Sequence, residues 1–374
     1  MKIVASSPDG LEKYLANEIS EMGGIDIKTG KRNVSFSCDK NTFYKIHFFS
    51  KIAFRFYREI ARFSCYDKQS LYDGVQNAFD WLTWLPTDKT FCVNVSGRNS
   101  YLRHSHFTAL QVKNAIVDIQ QQAHGRRSSI SLQNPYLIIH LHLNSDHAVL
   151  SLQSTSESLH KRGYRPAIGK APLKENIAAG LIQITKWDGR IPLIDIMCGS
   201  GTFLVEAARK ALNHPTYNEK KYLFENWIDF DKRKFLFEKS MAKRMTFKSV
   251  RLPKIIGCEI DSDVYNQAKE NICIAGLDDY ITLLNQDFSK LQFESHKGLI
   301  LCNPPYGKKL GCENDLIDLY SKIGQILKRN FSGWEFWLLS GNPKLTKYLK
   351  MKSSLKIPVS NGGIDCRWIK YLIN

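Results

Sequence analysis

Two short stretches of this 374-residue chain carry residue types that could do chemistry. The first is Asp195-Ile-Met-Cys-Gly-Ser-Gly-Thr-Phe203, which follows the apolar run at residues 191–196 and precedes a helical pattern at 203–212. It reads as strand, tight turn, helix. Gly199 and Gly201 remove side chains where the backbone must turn sharply and where a ligand could approach closely. The helix start then offers free N–H groups and a positive dipole end. The second stretch is Asn303-Pro-Pro-Tyr-Gly307, directly after the apolar residues 299–301. Pro304 and Pro305 end the strand's ladder and stiffen the backbone beyond it. Asn303 is left at the strand's carboxyl end, where open α/β sheets place their ligand crevice.

The elements that must position these residues are strands of one sheet. A second strand pattern, residues 254–260, ends on Glu259-Ile-Asp261, and a third, 280–284, runs into Asn285-Gln-Asp-Phe288. The pair of stretches resembles the class I methyltransferases that use S-adenosylmethionine, in the branch that methylates exocyclic or amide nitrogens. The cofactor's ribose diol calls for a carboxylate at the end of the second strand, so Glu259, with Ile260 beside it, is the candidate. Asp261 could share that task or only cap the next helix. Asp287 offers an acceptor for the adenine amine and Phe288 an apolar lid. Met197, Cys198, Gly199, Gly201 and Thr202 would lie under the methionine end, with Asp195 near its ammonium. A nicotinamide cofactor is the competing use of such a sheet, but it normally wants Gly-x-Gly-x-x-Gly, and position 204 is Leu.

The catalytic expectation falls on Asn303, Pro304, Pro305 and Tyr306. An amine conjugated to a base is a poor nucleophile because its lone pair is delocalised. The Asn303 side-chain oxygen and the Pro304 carbonyl can each accept one N–H, aiming the lone pair at an electrophilic methyl, with positioning as the main lever. Tyr306 can stack on a base rotated out of its helix.

Composition bounds the rest. The net charge is +17, from 53 Lys and Arg against 36 Asp and Glu, which favours a polyanionic partner without distinguishing RNA from DNA. No apolar run approaches the ~20 residues of a membrane span, and the N-terminus has too short an apolar core for a secretory signal. Nine scattered cysteines without a Cys-x-x-Cys pair suit a reducing cytoplasm and argue against a disulfide framework or a bound metal. A cytoplasmic monomer is expected.

Three domains are expected. Residues 1–64 follow the element order of a ferredoxin-like module. Residues 65–156 form a second unit, with a helical stripe at 71–84, a strand at 91–95, a helix at 107–121 with Leu110, Ile116 and Ile119 inward, and a strand pair around Asn144-Ser-Asp146. Through Val93-Asn-Val-Ser-Gly97, Arg103, Ser105 and Lys113-Asn-Ala-Ile116 this unit resembles the THUMP domain, an RNA-binding module, and Arg98, Arg103, Lys113, Arg126 and Arg127 are its candidate phosphate contacts. Residues 157–374 carry repeated strand–helix units closing in a hairpin at Asn361-Gly-Gly363, which fits a parallel sheet with one antiparallel strand near its edge. The fold class is thus α/β: a Rossmann-like methyltransferase domain preceded by an α+β ferredoxin-like plus THUMP region. Pro172 suits the first position of a helix that, in the resembled family, starts over the cofactor. Residues 213–253, rich in aromatics and charge, match no pattern.

Taken in order, the THUMP-like unit, Leu159-His-Lys-Arg-Gly-Tyr-Arg165, Ala171-Pro-Leu-Lys-Glu-Asn176, Met197-Cys-Gly-Ser-Gly-Thr202, Asn303-Pro-Pro-Tyr-Gly307 and Gly362-Gly-Ile-Asp-Cys366 resemble the bacterial 23S ribosomal RNA guanine-N2 methyltransferases over nearly the whole chain. The resemblance implies 23S rRNA, or a large-subunit precursor, as partner. Ile196 stands where relatives often have Pro, and Glu259 where many have Asp. Some family members carry a second methyltransferase domain for guanine N7, and the chain is expected to be too short for one. The alternatives are a THUMP-type tRNA guanine-N2 methyltransferase, and a non-catalytic RNA-binding assembly factor, against which the intact Asn303, Asp287 and Glu259 argue. Adenine-N6 methylation of DNA and glutamine methylation of protein use similar Asn-Pro-Pro-Tyr sites and fit the THUMP-like unit and the charge less well.

Overall fold

The computed structural model describes residues 1–166, 173–216, 221–245, 252–305 and 313–374. Pro172 and Tyr306, both expected at the site, lie outside the described residues. The chain begins with β1 (Lys2–Ser6), α1 (Glu12–Glu21), β2 (Ile25–Gly30), β3 (Asn33–Ser37), α2 (Lys40–Phe49) and β4 (Arg55–Ser64). It continues with α3 (Lys68–Ala78), α4 (Trp81–Trp84), β5 (Thr90–Arg98), α5 (Ser105–His124), β6 (Ser129–Ile130), β7 (Leu137–Asn144) and β8 (His147–Gln153). Their strands form one sheet in the order β2-β3-β1-β4-β8-β7-β5-β6. The boundary expected at residue 64 does not interrupt this sheet. Ten-residue β4 pairs with β1 along Arg55–Arg58 and with β8 along Tyr57–Ser64, so one strand serves both units.

Local expectations fail where burial is not periodic. Five of the six residues of β2 are exposed, Ile25 among them at 61%, so the strand has no buried face although Ile25 and Ile27 alternate with polar residues. The helix expected over 71–84 breaks at Phe79, which is extended, and restarts behind Asp80, whose carboxylate accepts from Thr83 N–H. Leu110, expected inward on α5, is 43% exposed, while Val112, Ala115, Ile116 and Val117 are buried.

The second half holds α6 (Glu175–Ile184), β9 (Leu193–Asp195), α7 (Thr202–Ala211), a 3-10 turn (Leu223–Asn226), α8 (Lys232–Met245), β10 (Ile255–Glu259), α9 (Ser262–Ile274), β11 (Ile281–Asn285), β12 (Leu299–Cys302), α10 (Glu313–Asn330), β13 (Glu335–Ser340), β14 (Ser353–Asn361) and β15 (Ile364–Leu372). The strand order is β11-β10-β9-β12-β13-β15-β14. The first five are mutually parallel, and β15 runs antiparallel to both β13 and β14. The chain winds outward from β9 through β10 to β11, then returns to β12 on the other side of β9. That reversal opens a crevice at the carboxyl ends of β9, β10 and β12.

The described residues between α7 and β10, 212–216, 221–245 and 252–254, hold a strap across the N-terminal half. The 3-10 turn docks on the second unit: Leu223 packs with Cys92 and Ile138, Tyr136 Oη donates to Asn226 O at 2.6 Å, and Asn226 Nδ2 returns a bond to Tyr136 O at 2.9 Å. Asp229 takes both its carboxylate oxygens to Arg58 Nη1 at 2.8 and 2.9 Å. Phe224, Trp227, Phe230 and Phe235 then interleave with Phe43, Tyr44, His47 and Phe48 of α2. A second seam is polar and buried. Glu18 on α1 accepts from Lys51 N and Ile52 N, Arg162 donates to Lys51 O at 2.6 Å, and Arg162 pairs with Glu206 on α7 at 3.0 Å.

Candidate active site

The register of the second sheet brings the site together. Asp195, the last residue of β9, lies opposite Gly257 on β10 and Leu301 on β12. Glu259 and Asn303 are each two residues beyond those partners, so they flank Asp195 at the same end of the sheet, about 10 Å apart across two strand spacings.

The glycine turn is built as the sequence implies. Gly199 has φ +53 and Gly201 φ +79, the left-handed region that favours glycine, and a Cβ added at Gly199 would meet nothing within 4 Å. Open space above a backbone turn is what a closely approaching ligand requires. The missing third glycine is offset from the opposite side. Leu204 is fully buried on α7, and a Cβ on Gly257 would come within 2.3 Å of its Cδ1. Helix and strand therefore approach closely because the glycine sits on β10.

Glu259 braces the turn. Its Oε2 accepts from Gly199 N–H and its Oε1 from Asp261 N–H, both at 3.0 Å, and each oxygen keeps lone pairs for a further donor. Asp261 caps α9, its Oδ1 accepting from Asp263 N–H and Val264 N–H. Ile260 is 65% exposed beside the crevice. Asp287 accepts from Ser289 N–H at 2.8 Å and pairs with Lys322 at 2.7 Å. Burial opposes its ionisation, but the Lys322 and Ser289 contacts outweigh it and hold the carboxyl below the usual carboxylate range. Phe288 is buried, with Lys322 Nζ 5.6 Å above its ring, so it forms a wall more than a free lid.

Asp195 differs from the other acids. Its side chain is buried, its one hydrogen-bond donor among the described residues is Met197 N–H at 3.3 Å, and Glu259 stands nearby. Burial, with a smaller push from Glu259, raises its pKa to about 7. The thiols around it are no nucleophiles: burial pushes Cys258 up to about 12, and Cys198 and Cys302 well above the ordinary thiol value. Thr202 is buried, and its Oγ1 accepts from Arg165 Nη1 at 2.9 Å. Arg165 also donates to Leu173 O at 2.9 Å and pairs with Glu175 at 3.3 Å. Sequence reasoning gave Arg165 no role of its own; the cue was its place at the end of the Leu159–Arg165 motif.

Asn303 carries the feature with the clearest chemical meaning. Its Oδ1 is buried and has no hydrogen-bond partner among the described residues. Pro304, buried, and Pro305, half-buried, follow it at the mouth of the crevice.

Residues 162–370 match the family described as RMKL-like, methyltransferase domain. The chain belongs to that family. Residues 65–153 match the THUMP domain and residues 2–57 the RlmL ferredoxin-like domain. A Synechocystis protein, slr0064, named as a candidate RNA methyltransferase, is 39% identical over 363 residues, 97% of this chain and 94% of that one. The ribosomal RNA large subunit methyltransferase K/L of Aliivibrio fischeri strain ES114 is 36% identical over 100% of this chain but 53% of its own length, so the chain spans about half of that relative. The crystal structure of SMU.472, a candidate methyltransferase complexed with SAH, superimposes with a TM-score of 0.89 at 25% identity, covering 100% of this chain and 98% of that one. The protein is an S-adenosylmethionine-dependent RNA methyltransferase with a ferredoxin-like and THUMP region ahead of its Rossmann-like domain.

The five basic residues expected to meet phosphates do not form one patch in this methyltransferase. Arg98 and Arg103 are exposed near the start of α5, whereas Arg126 and Arg127 are exposed just past its end. Twenty helical residues separate the two pairs by about 30 Å. Lys113 lies mid-helix, half-buried, with its Nζ 3.3 Å from Asn114 Oδ1. No described helix is long and apolar enough to cross a membrane.

Proposed function

We propose that this enzyme methylates the exocyclic N2 of a guanine, with 23S ribosomal RNA or a large-subunit precursor as substrate. The carrying observation is the buried, unpartnered Oδ1 of Asn303 at the carboxyl end of β12. A buried acceptor without a donor is costly, of the order of 1–3 kcal/mol, and a primary amine supplies the missing N–H. The Pro304 carbonyl accepts the amine's second N–H. Together the two acceptors hold the nitrogen and favour a pyramidal geometry, so that its lone pair projects into the crevice. As the N–C bond formed, the methyl's bond to sulfur would break and leave a neutral thioether; the two oxygens would stabilise the positive charge on the nitrogen until one of its protons passed to water.

The cofactor contacts follow from the same geometry. Glu259 would accept from the ribose hydroxyls, Asp287 from the adenine amine, with Phe288 and Ile260 as apolar walls. The turn at Met197, Cys198, Gly199 and Gly201 would lie against the methionine end, with Asp195 facing its ammonium, and Thr202 would hold the turn through Arg165. When bound, S-adenosylmethionine supplies the electrophilic methyl of its sulfonium. The high thiol pKa values around the site favour direct transfer to nitrogen over a cysteine relay. Pro172 retains the place over the cofactor that the resemblance implies, and Tyr306 the stacking on the target base expected of its ring. The rRNA substrate is supported by the K/L relative's name, with tRNA as the runner-up.

The test is to incubate the protein with S-adenosylmethionine and deproteinised, unmethylated 23S rRNA, with total tRNA in parallel, and to resolve the nucleosides by mass and retention. N2-methylguanosine from the rRNA alone is the expected result. The same product from tRNA alone moves the substrate, and N6-methyladenosine refutes the guanine assignment.

A further inference from the structure

Helix α8, part of the strap, has the composition of a nucleic-acid contact without the pattern of a core element. Its sequence, Lys-Arg-Lys-Phe-Leu-Phe-Glu-Lys-Ser-Met-Ala-Lys-Arg-Met, holds six basic residues and one acidic one. One face is fully accounted for. Phe235 and Ala242 are buried, and the Phe235 ring packs 5.6 Å from those of Tyr44 and Phe48 on α2. The other face points to solvent. Arg233, Leu236, Phe237, Ser240 and Arg244 are all exposed at helical spacing, joined by Lys232, Lys234 and Lys243. Phe237 is 58% exposed and Leu236 49%.

Helix stability does not explain this face. Three cations stand in the first turn, where the dipole disfavours positive charge, and that turn contains no acid. Asp229 pairs with Arg58 and Lys40, and Asp231 caps α8 by accepting from Lys234 N–H, so neither forms an ion pair with a cation of this helix. Among the described residues Lys232, Arg233, Lys243 and Arg244 have no ion-pair partner. A row of unpaired cations flanking one exposed aromatic matches a nucleic-acid strand, with phosphates for the charges and a base for the ring. It fits a bilayer less well, because the exposed apolar residues of α8 are the adjacent Leu236 and Phe237 and, eight residues on and off that line, Met245, which do not form a stripe along the helix.

We propose that the outward face of α8 is an RNA contact separate from the THUMP region, in which Arg233 and Arg244 neutralise phosphates and Phe237 stacks on an unpaired base. This rests on the reading of RNA as the substrate. Arg233 and Arg244 are eleven residues apart, about 16 Å along the helix, a span that a few nucleotides of single strand can follow.

The experiment uses the full chain as wild type, Arg233→Glu/Arg244→Glu and Phe237→Ser, with an unmethylated 23S rRNA transcript as probe, over a salt series. All three substitutions are at exposed positions, and unchanged cofactor affinity and melting serve as the fold control. The double variant is expected to lose at least tenfold in RNA affinity, with the salt slope smaller by about 1.4–1.8 for two lost phosphate contacts. Phe237→Ser is expected to lose roughly fivefold to a hundredfold at unchanged slope. Wild-type affinity and slope in both variants, while Arg98→Glu/Arg103→Glu weakens binding, would overturn the α8 contact and leave the RNA reading standing. Unchanged RNA affinity with lost retention on anionic vesicles would overturn it in favour of a membrane surface. Absence of RNA binding by the wild type would sink both readings.

Discussion

With Asp195 at the cofactor's ammonium, as proposed, cofactor affinity should report a single buried proton. The carboxyl is enclosed by Cys198, Cys258 and Cys302, which stay neutral, and by Glu259, which repels its charge. With the pKa raised to about 7, the free enzyme at pH 6 carries the proton on about nine molecules in ten. An ammonium placed beside the carboxyl favours the ionised form, so cofactor binding should expel that proton. Calorimetry of S-adenosylmethionine binding in two buffers of different ionisation enthalpy should therefore find about 0.9 proton released per cofactor at pH 6, falling as pH rises through 7 and giving way to uptake near pH 8, where the free cofactor's own amine has begun to lose its proton. Affinity should rise about tenfold per pH unit below pH 6 and flatten near pH 7. Asp195→Asn should bind more weakly and release no proton.

The same group has a stability consequence of fixed sign. Its folded pKa lies above the ordinary 3.8, so the native state holds a proton that the unfolded chain has lost. Its contribution is fully present below pH 3.8 and is lost as pH rises through about 7. The loss is about 4 kcal/mol at most, from three units at 1.36 kcal/mol each. Cofactor-free Asp195→Asn should thus gain stability over wild type as pH goes from 5 to 8, read in denaturant melts. A variant with wild-type cofactor affinity, proton release and pH-stability profile would refute the placement of Asp195 at the ammonium and its raised pKa together.

Three further outcomes are set by the contacts. Asn303→Ala should lower kcat at least a hundredfold while cofactor affinity, measured separately, changes less than threefold; a large loss of cofactor binding contradicts its role as the amine acceptor. Glu206→Ala leaves the buried Arg162 without its carboxylate and Tyr164 Oη without its acceptor, and should cost about 3–5 kcal/mol in equilibrium unfolding with little effect on the RNA salt slope. A fragment of residues 157–374 should aggregate, because it bares the Phe224, Trp227 and Phe235 surface that α2 covers; a monodisperse, cofactor-binding fragment in light scattering would show that the strap is dispensable.

The catalytic sheet was legible because each of its functional residues ends a short apolar run. β9 is only three residues long, yet its three buried side chains and the two glycines after it mark it plainly. Asn361-Gly-Gly363 likewise announced the β14–β15 hairpin, whose two glycines do adopt positive φ. The continuous N-terminal sheet was not legible, since nothing local in residues 55–64 says that the strand has partners on both edges. Arg165 was hidden for a similar reason. Its value lies in reaching Thr202, Leu173 O and Glu175 at once, a convergence that exists only after folding.

The strap was opaque for the deepest reason: its aromatics are spaced for partners on another module, not for a helix or strand of its own. Tyr222, Phe224, Trp227, Phe230 and Phe235 have neither a period of two nor one of 3.6, because each fills a gap beside Phe43, Tyr44 or His47. The result bears on selectivity. Phosphate contacts on the N-terminal sheet and on α8, placed as proposed, would be held at fixed distances from Asn303, because apolar packing, the Arg58–Asp229 pair and the Arg162–Glu206 pair tie the modules together. A flexible tether would let the crevice sample many guanines on a bound RNA. A braced frame admits only a base that lies at the matching distance from the anchored backbone, so position along the RNA is selected by geometry even where the crevice itself reads no more than one amine.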